Sequence, residues 1–298
     1  MRCNFAAKIL FDAVKKQQII LISSGALLFC LIYFFGQTVP PLSKAKPDAL
    51  VKESKPGGEA ITISTILAAS KQQLSIEQQA YINQLETAVV RGDVKEQQLK
   101  VYKQIASFWK DTAHLLMPYS YYLGMVSKLE NSEKSLTFAA HNFLNGLRQQ
   151  TNPALKNWMG KEAKELFEKA LQINPANDSS KVGLGSCYLF GNISENPMQG
   201  IQLIREVAER DSTNMYAQLM LGLGGIESGQ LDKAIERLKK VAIKQPENLE
   251  VLLTLAETYE RKGDKGNAIK WYEASKKFFN GEEDIIKEID SRIEELKK

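Results

Sequence analysis

Residues 249–280 read LEVLLTLAETYERKGDKGNAIKWYEASKKFFN, and the pattern in this stretch decides the fold. Leu252, Leu255, Ala256 and Tyr259 lie at i, i+3, i+4 and i+7, the spacing that places apolar side chains on one face of a helix. Gly263-Asp264 interrupts the pattern, and Ala268 and Tyr272 resume it. The spacing predicts a helix, a tight turn and a second helix.

A step of 34 residues toward the N-terminus meets the same offsets: Leu221 and Gly222, the turn pair Gly229-Gln230, then Ala234, Leu238 and Val241, closed by Pro246. An isolated helical hairpin does not recur. The period, the small residues where helices cross and the proline after the second helix resemble the tetratricopeptide repeat (TPR). That resemblance implies an all-α, right-handed TPR-type helical solenoid, and a protein that holds other proteins.

Working outward, the unit before these spans Asp178 to Asn214, with Leu184, Gly185 and Tyr188 in place and a longer turn through Gly191-Asn192 and Asn196-Pro197. A further first-helix stripe, Leu136, Ala139, Ala140 and Phe143, finds its partner late, after Asn152-Pro153, in Ala163, Phe167 and Ala170 with the closing Pro175. This unit carries an insertion of about eleven residues against the repeat length, expected in its turn. Gln78 to Asp111 reads as a diverged repeat around Gly92-Asp93, entered through a Ser75/Gln78 capping box. A short helix is expected over Ser64 to Lys71, and the aromatic run from Pro118 to Leu123 is read as core. Residues 63–280 are thus assigned to the solenoid. Residues 281–298 are assigned to a capping helix whose stripe of Ile285, Ile289, Ile293 and Leu296 is too short for a stable coiled coil.

The N-terminal part differs in composition. Residues 1–18 form a basic leader that carries +3 of the chain's formal charge of +4, which leaves the remainder nearly neutral and gives no signature of a nucleic-acid partner. Residues 19–36 hold an uncharged apolar run from Ile19 to Phe35, roughly 26 Å as a helix against a hydrocarbon core of ~30 Å. A cleaved signal peptide shares the basic-then-apolar pattern. The length of the run and the absence of an Ala-x-Ala site after it favour a transmembrane anchor. Residues 37–62, rich in Pro, Lys, Ser and Gly, are expected to be a flexible linker. The positive-inside rule places the leader in the cytoplasm, and with it the solenoid on the periplasmic side of a bacterial inner (cell) membrane, single-pass.

The chemistry-bearing residues form no catalytic constellation. His114 and His141 lack neighbours at metal-ligand spacing, and Cys187 sits on an apolar stripe between Leu184 and Tyr188 as a small hydrophobe. Leu221 to Glu227, LGLGGIE, lacks the third glycine and the preceding strand of a phosphate loop. Gly185 and Gly222 instead take the small-residue crossing position, and Gly225, standing where flanking units have tyrosine, is expected to leave a gap or to let a neighbour or ligand enter. Neither catalysis, a cofactor, a metal nor a small-molecule substrate is expected.

What remains is a surface. In TPR arrays the first helices line a concave groove, and the resemblance carries its groove positions onto Val182, Ser186, Leu189 and Phe190, then Tyr216, Leu219, Leu223 and Ile226, with an acidic end at Glu250, Glu257 and Glu260. Such a groove suits a protein or peptide partner with apolar anchors and some basic charge. The expected function is a membrane-anchored protein–protein interaction scaffold or assembly factor. The alternative is a structural accessory subunit of a membrane complex whose groove is filled by its own insertion or tail.

Overall fold

The computed structural model describes residues 61–91, 94–194 and 196–298, and all of its described elements are helical. The leader, the proposed anchor, nearly all of the linker and the Gly92-Asp93 turn lie outside the described residues. Among the described residues no helix is long and apolar enough to cross a membrane.

The N-terminal helices are α1 (Ile63–Lys71), α2 (Ile76–Arg91), α3 (Lys95–Ser107) and α4 (Leu116–Glu130). The capping box at the start of α2 forms as its sequence requires: Gln78 N–H donates to Ser75 Oγ at 3.2 Å, and Ser75 N–H donates to Gln78 Oε1 at 3.0 Å. α3 runs into a π-helical turn, Phe108–Thr112, that buries the adjacent Phe108 and Trp109 against Ile82, Ile105 and Tyr122. The aromatic run of α4 is core only in part: Tyr122 is buried, whereas Tyr119 and Tyr121 are half-buried at its edge.

Four antiparallel pairs follow: α5 (Glu133–Gln149) with α6 (Pro153–Ile173), α7 (Asp178–Phe190) with α8 (Met198–Arg210), α9 (Met215–Glu227) with α10 (Leu231–Lys244), and α11 (Leu249–Lys262) with α12 (Lys265–Lys276). Each of α7, α9 and α11 is entered through an asparagine, Asn177, Asn214 or Asn248, whose side chain accepts the backbone N–H of the third helical residue. The same short turn precedes each asparagine, and Pro175 and Pro246 stand in two of these turns, just past the ends of α6 and α10. Repetition of cap and turn sets the step between pairs.

The α5–α6 pair corrects one expectation. Its extra residues do not form a long turn: only residues 150–152 connect the helices, and α5 and α6 are instead 17 and 21 residues long. Asn152 caps α6 with Pro153 in its first turn, and the added turns bury Trp158, edge-on to Phe143 at 5.7 Å between ring centroids, and Met159. Helix extension satisfies its own backbone hydrogen bonds while burying apolar surface, which a loop of the same length does not. The α7–α8 connection, residues 191–197, is lengthened as expected.

Helix crossings are close where the sequence supplies glycine. A methyl group on Gly222 would lie 3.0 Å from the Leu238 side chain. At Gly225 a neighbour enters rather than a gap remaining: α10 lies so close that a Cβ there would meet the Cβ of Ala234 at 3.2 Å. The last helix, α13 (Glu283–Lys297), covers the end of the array by burying Ile289 and Ile293 against Ala256 and Tyr272. The Glu260–Arg292 ion pair and the 2.6 Å contact of Lys276 Nζ with Asp290 Oδ1 hold its flank.

Candidate protein-binding face

The first helices of the four pairs, α5, α7, α9 and α11, meet along one face, and α7 makes that possible by being thin there. It carries Ser179, Ser180, Gly183 and Ser186, so its neighbours approach closely. The Thr137 and Ser180 hydroxyls lie 2.7 Å apart, and His141 Nε2 of α5 lies 2.8 Å from Ser179 Oγ. The His141 ring stands edge-on to Phe167 of α6 at 5.0 Å and to Tyr216 of α9 at 5.4 Å, so α5 and α9 touch past the intervening helix. Two turns beyond His141 on α5, Arg148 forms an ion pair with Glu250 at the start of α11. Contact between the first and the fourth of these helices requires the array to curl toward this face.

Curling fills much of the surface. Val182 is fully buried and Leu219 retains 9% of its exposure, and both belong to the core formed with Ile204, Val207 and Leu238. Ser186 is buried, its hydroxyl donating to the Val182 carbonyl at 2.9 Å. Leu189, Phe190, Tyr216, Leu223 and Ile226 remain half-buried, packed against the same core with an edge in solvent. Leu189 lies on Gly224, where a Cβ would meet its Cδ2 at 2.7 Å. The core that takes up these side chains is drawn from second helices as well as first ones, with Leu296 of the capping helix packed against it and Phe190 packed also against the α5–α6 pair.

The acidic end is largely neutralised. Glu250 is engaged by Arg148, and Glu260 by Arg292 and by the Tyr272 hydroxyl at 3.1 Å. Arg292 and that hydroxyl hold the Glu260 carboxyl below its ordinary range. Among the described residues Glu257 has no ion-pair partner; partial desolvation, then the charge of Glu260, raises its pKa. Glu257 lines a cleft of roughly 630 Å³ between α11, α12 and the capping helix, with Leu253, Tyr272, Ile285 and Arg292.

Of the polar groups at the centre of the curl, the sequence places Tyr216 in the groove and weighs His141 only as a metal ligand, while Arg148 and Ser179 are not singled out by it. Burial lowers the pKa of His141 and raises that of Tyr216, whose hydroxyl is buried next to Ser186. The Asn177, Asn214 and Asn248 caps recur with the repeat and would have aligned these helices, but Arg148 and Tyr216 lie 68 positions apart and no spacing links them. Cys187 is buried against Phe167 and Leu166, and burial pushes its thiol pKa up, away from nucleophilic character.

Residues 225–284, from the last turn of α9 into the start of α13, match the family model for the tetratricopeptide repeat. A curated relative, the BBSome complex member BBS4 of Bos taurus, is 28% identical over 158 residues, which cover 50% of this chain and 30% of that protein. The chain therefore spans about a third of that relative's length. Among solved structures, a crystal structure of MamA protein is similar at a TM-score of 0.40, with 18% identity over 61% of this chain and 92% of that one. MamA from residue 41 to its end, from Desulfovibrio magneticus RS-1, gives 0.39 with 19% identity over 65% and 97%. YrrB, described as a TPR protein with an unusual peptide-binding site, gives 0.36 with 18% identity over 59% and 83%. Tetratricopeptide arrays are typically non-enzymatic scaffolds for contacts between proteins.

Proposed function

We propose that this protein is a membrane-anchored interaction scaffold or assembly factor that takes a protein or peptide segment on the inner face of its solenoid. The observation that supports this reading is the half-buried apolar row Leu189, Leu223 and Ile226 on α7 and α9, each with an edge in solvent, beside Phe190, which packs against both its own core and that of the α5–α6 pair. Val182 and Leu219 support that row from beneath, and Glu257 belongs to the separate cleft beside α13. Anchoring by residues 19–36, with the leader in the cytoplasm and the solenoid in the periplasm, rests on composition and charge.

The burial of Val182 and Leu219 and the Arg148–Glu250 contact favour a second reading, a structural accessory subunit whose inner face is already occupied by its own side chains. Photocrosslinking from a reactive amino acid at Phe190 or Ile226 of the full chain in intact cells separates the two. Adducts of discrete mass support the scaffold, and crosslinks confined to the chain itself support the subunit. Protease protection of the intact membrane protein, read at its C-terminal tail, tests the orientation, and an N-terminus between Gly36 and Ala45 on the mature protein would refute the anchor.

A further inference from the structure

The near-neutral charge of the chain outside its leader conceals a segregation between helices. α10 carries five cations against two carboxylates, and α12 three against one. Each of these carboxylates is taken: Asp232 by Lys262, Glu236 by Lys240 at 2.9 Å and Glu273 by Lys276 at 3.2 Å. Among the described residues that leaves Lys233, Lys239, Lys244, Lys265 and Lys270, all exposed, without a carboxylate partner. We infer that this face of the second helices docks on an anionic lipid surface. It lies apart from the row Leu189, Leu223 and Ile226 proposed to hold a protein segment, and neither its charge nor its geometry depends on the anchor.

Helix geometry gathers these charges. Ile235, Leu238 and Val241 of α10 point into the core, so Lys233, Lys240 and Lys244, at i, i+7 and i+11, stand in line on the opposite side of the helix. Lys239 flanks that line, and Ile243, one turn beyond Lys239 and Lys240, keeps 73% of its exposure among them. Lys233 Nζ donates only to the neutral Gln230 Oε1, at 3.0 Å, and Arg237 is turned aside to Gln218 at 2.8 Å. The Asp232–Lys262 pair ties the start of α10 to the end of α11, just before Lys265 opens α12. On α6, by contrast, Lys164 and Lys169 are paired with Glu168 and Glu165 one turn away.

The kind of cation identifies the occupant. All five unpaired groups are lysines, and none is arginine. Faces that read nucleic acid or a single phosphate favour arginine, whose planar fork pairs bidentately, and protein–protein interfaces are depleted of lysine. A lysine is a hydrated point charge on a flexible stem, suited to a field of spread anionic headgroups in which no fixed partner is needed. Each lysine held near such a surface strengthens attachment about fivefold, so their number gives the binding rather than any one contact. Ile243 adds an aliphatic group at the centre of the lysines, and the headgroup boundary relieves its exposure to water.

The test is lysine acetylation of the full-length chain, read residue by residue by mass spectrometry, on vesicles of phosphatidylcholine alone or with about one-third phosphatidylglycerol. Lys239, Lys244 and Lys270 should react about fivefold more slowly on the anionic vesicles than on the neutral ones, and high salt should remove the difference. Lys100 of α3, exposed on another part of the chain, should keep its rate. The Lys239→Gln/Lys244→Gln/Lys270→Gln variant changes exposed positions only, so its melting temperature should stay near that of the parent. In it, Lys233 and Lys265 should return to their rates on neutral vesicles. Equal rates on the two kinds of vesicle would overturn the inference. Slowing by a polyglutamate peptide but not by anionic vesicles would also overturn it, and would give the face to an acidic protein segment. Retention of the chain by neutral vesicles at high salt reports the anchor by itself, so a missing anchor and a missing lipid contact are read separately.

Discussion

Gly185 of α7 and Gly200 of α8 face one another so closely that a methyl group on Gly200 would lie 2.3 Å from the Gly185 carbonyl oxygen, and one on Gly185 would lie 2.6 Å from the Gly200 carbonyl. Backbone cannot yield as a flexible side chain does, so this contact sets the distance between the two helices. Glycine inside a helix ordinarily costs about 0.5–1 kcal/mol relative to alanine, and here the cost is offset by close packing. Gly200→Ala is therefore expected to destabilise by about 1–3 kcal/mol through overpacking. Gly266→Ala on α12, whose nearest neighbour atom is 4.0 Å away, should be neutral or slightly stabilising. Urea unfolding of the two variants checks the contrast, and equal midpoints would refute the crossing geometry.

Leu219 and Leu221 are both 9% exposed and share one core, although they lie on different sides of the helical pattern. Leu219→Glu should therefore unfold the chain as readily as Leu221→Glu, each placing an unpaired carboxylate in the core at a cost of about 3 kcal/mol or more. Leu223→Glu, at a half-buried position, should cost distinctly less. Melting temperatures by circular dichroism order the three, and a parent-like melt for Leu219→Glu would return that residue to the surface.

The capping helix is held by packing more than by charge. Ile293 is 2% exposed, so Ile293→Ala should cost about 2–5 kcal/mol, with the loss concentrated in α11 to α13. Arg292 is half-exposed, and Arg292→Ala should cost far less than Ile293→Ala. Amide hydrogen exchange read over residues 265–298 distinguishes the two. Faster exchange in Arg292→Ala than in Ile293→Ala would show the opposite balance.

His141 gives the central contact a pH dependence. Burial lowers its folded-state pKa below the ordinary value of about 6.5, so the unfolded chain binds the proton more readily. Its contribution is complete above pH ~6.5 and is lost as pH falls from there through the folded-state value. His141→Gln should flatten this part of the stability profile between pH 7.5 and pH 5, measured by denaturant titration at each pH. A slope that persists in the variant would assign the dependence to other groups.

Much of the architecture was legible because it is local. The stripe in residues 249–262, the Gly263 turn with φ of +83° and the recurrence around Gly229, with φ of +74°, follow from helical periodicity and from the conformational freedom of glycine. The capping box at Ser75 and the closing prolines are of the same kind. The destination of the extra residues in the α5–α6 pair was less legible, because the spacing of the stripe shows a longer unit without showing whether helix or turn takes up the length.

Only the tertiary structure decided which side of the first helices is surface. Val182 and Leu219 occupy positions that an open array would expose, and they are core because they pack in one cluster with Ile204 and Val207 of α8, Leu238 of α10 and Leu252 of α11. The meeting of Arg148 with Glu250 depends on the curvature of the array, the sum of small rotations at each glycine-mediated crossing. Sequence periodicity determines which residues share a helix face. How sharply successive helices turn is set by the volumes packed between them, and those volumes come from residues distant in the chain.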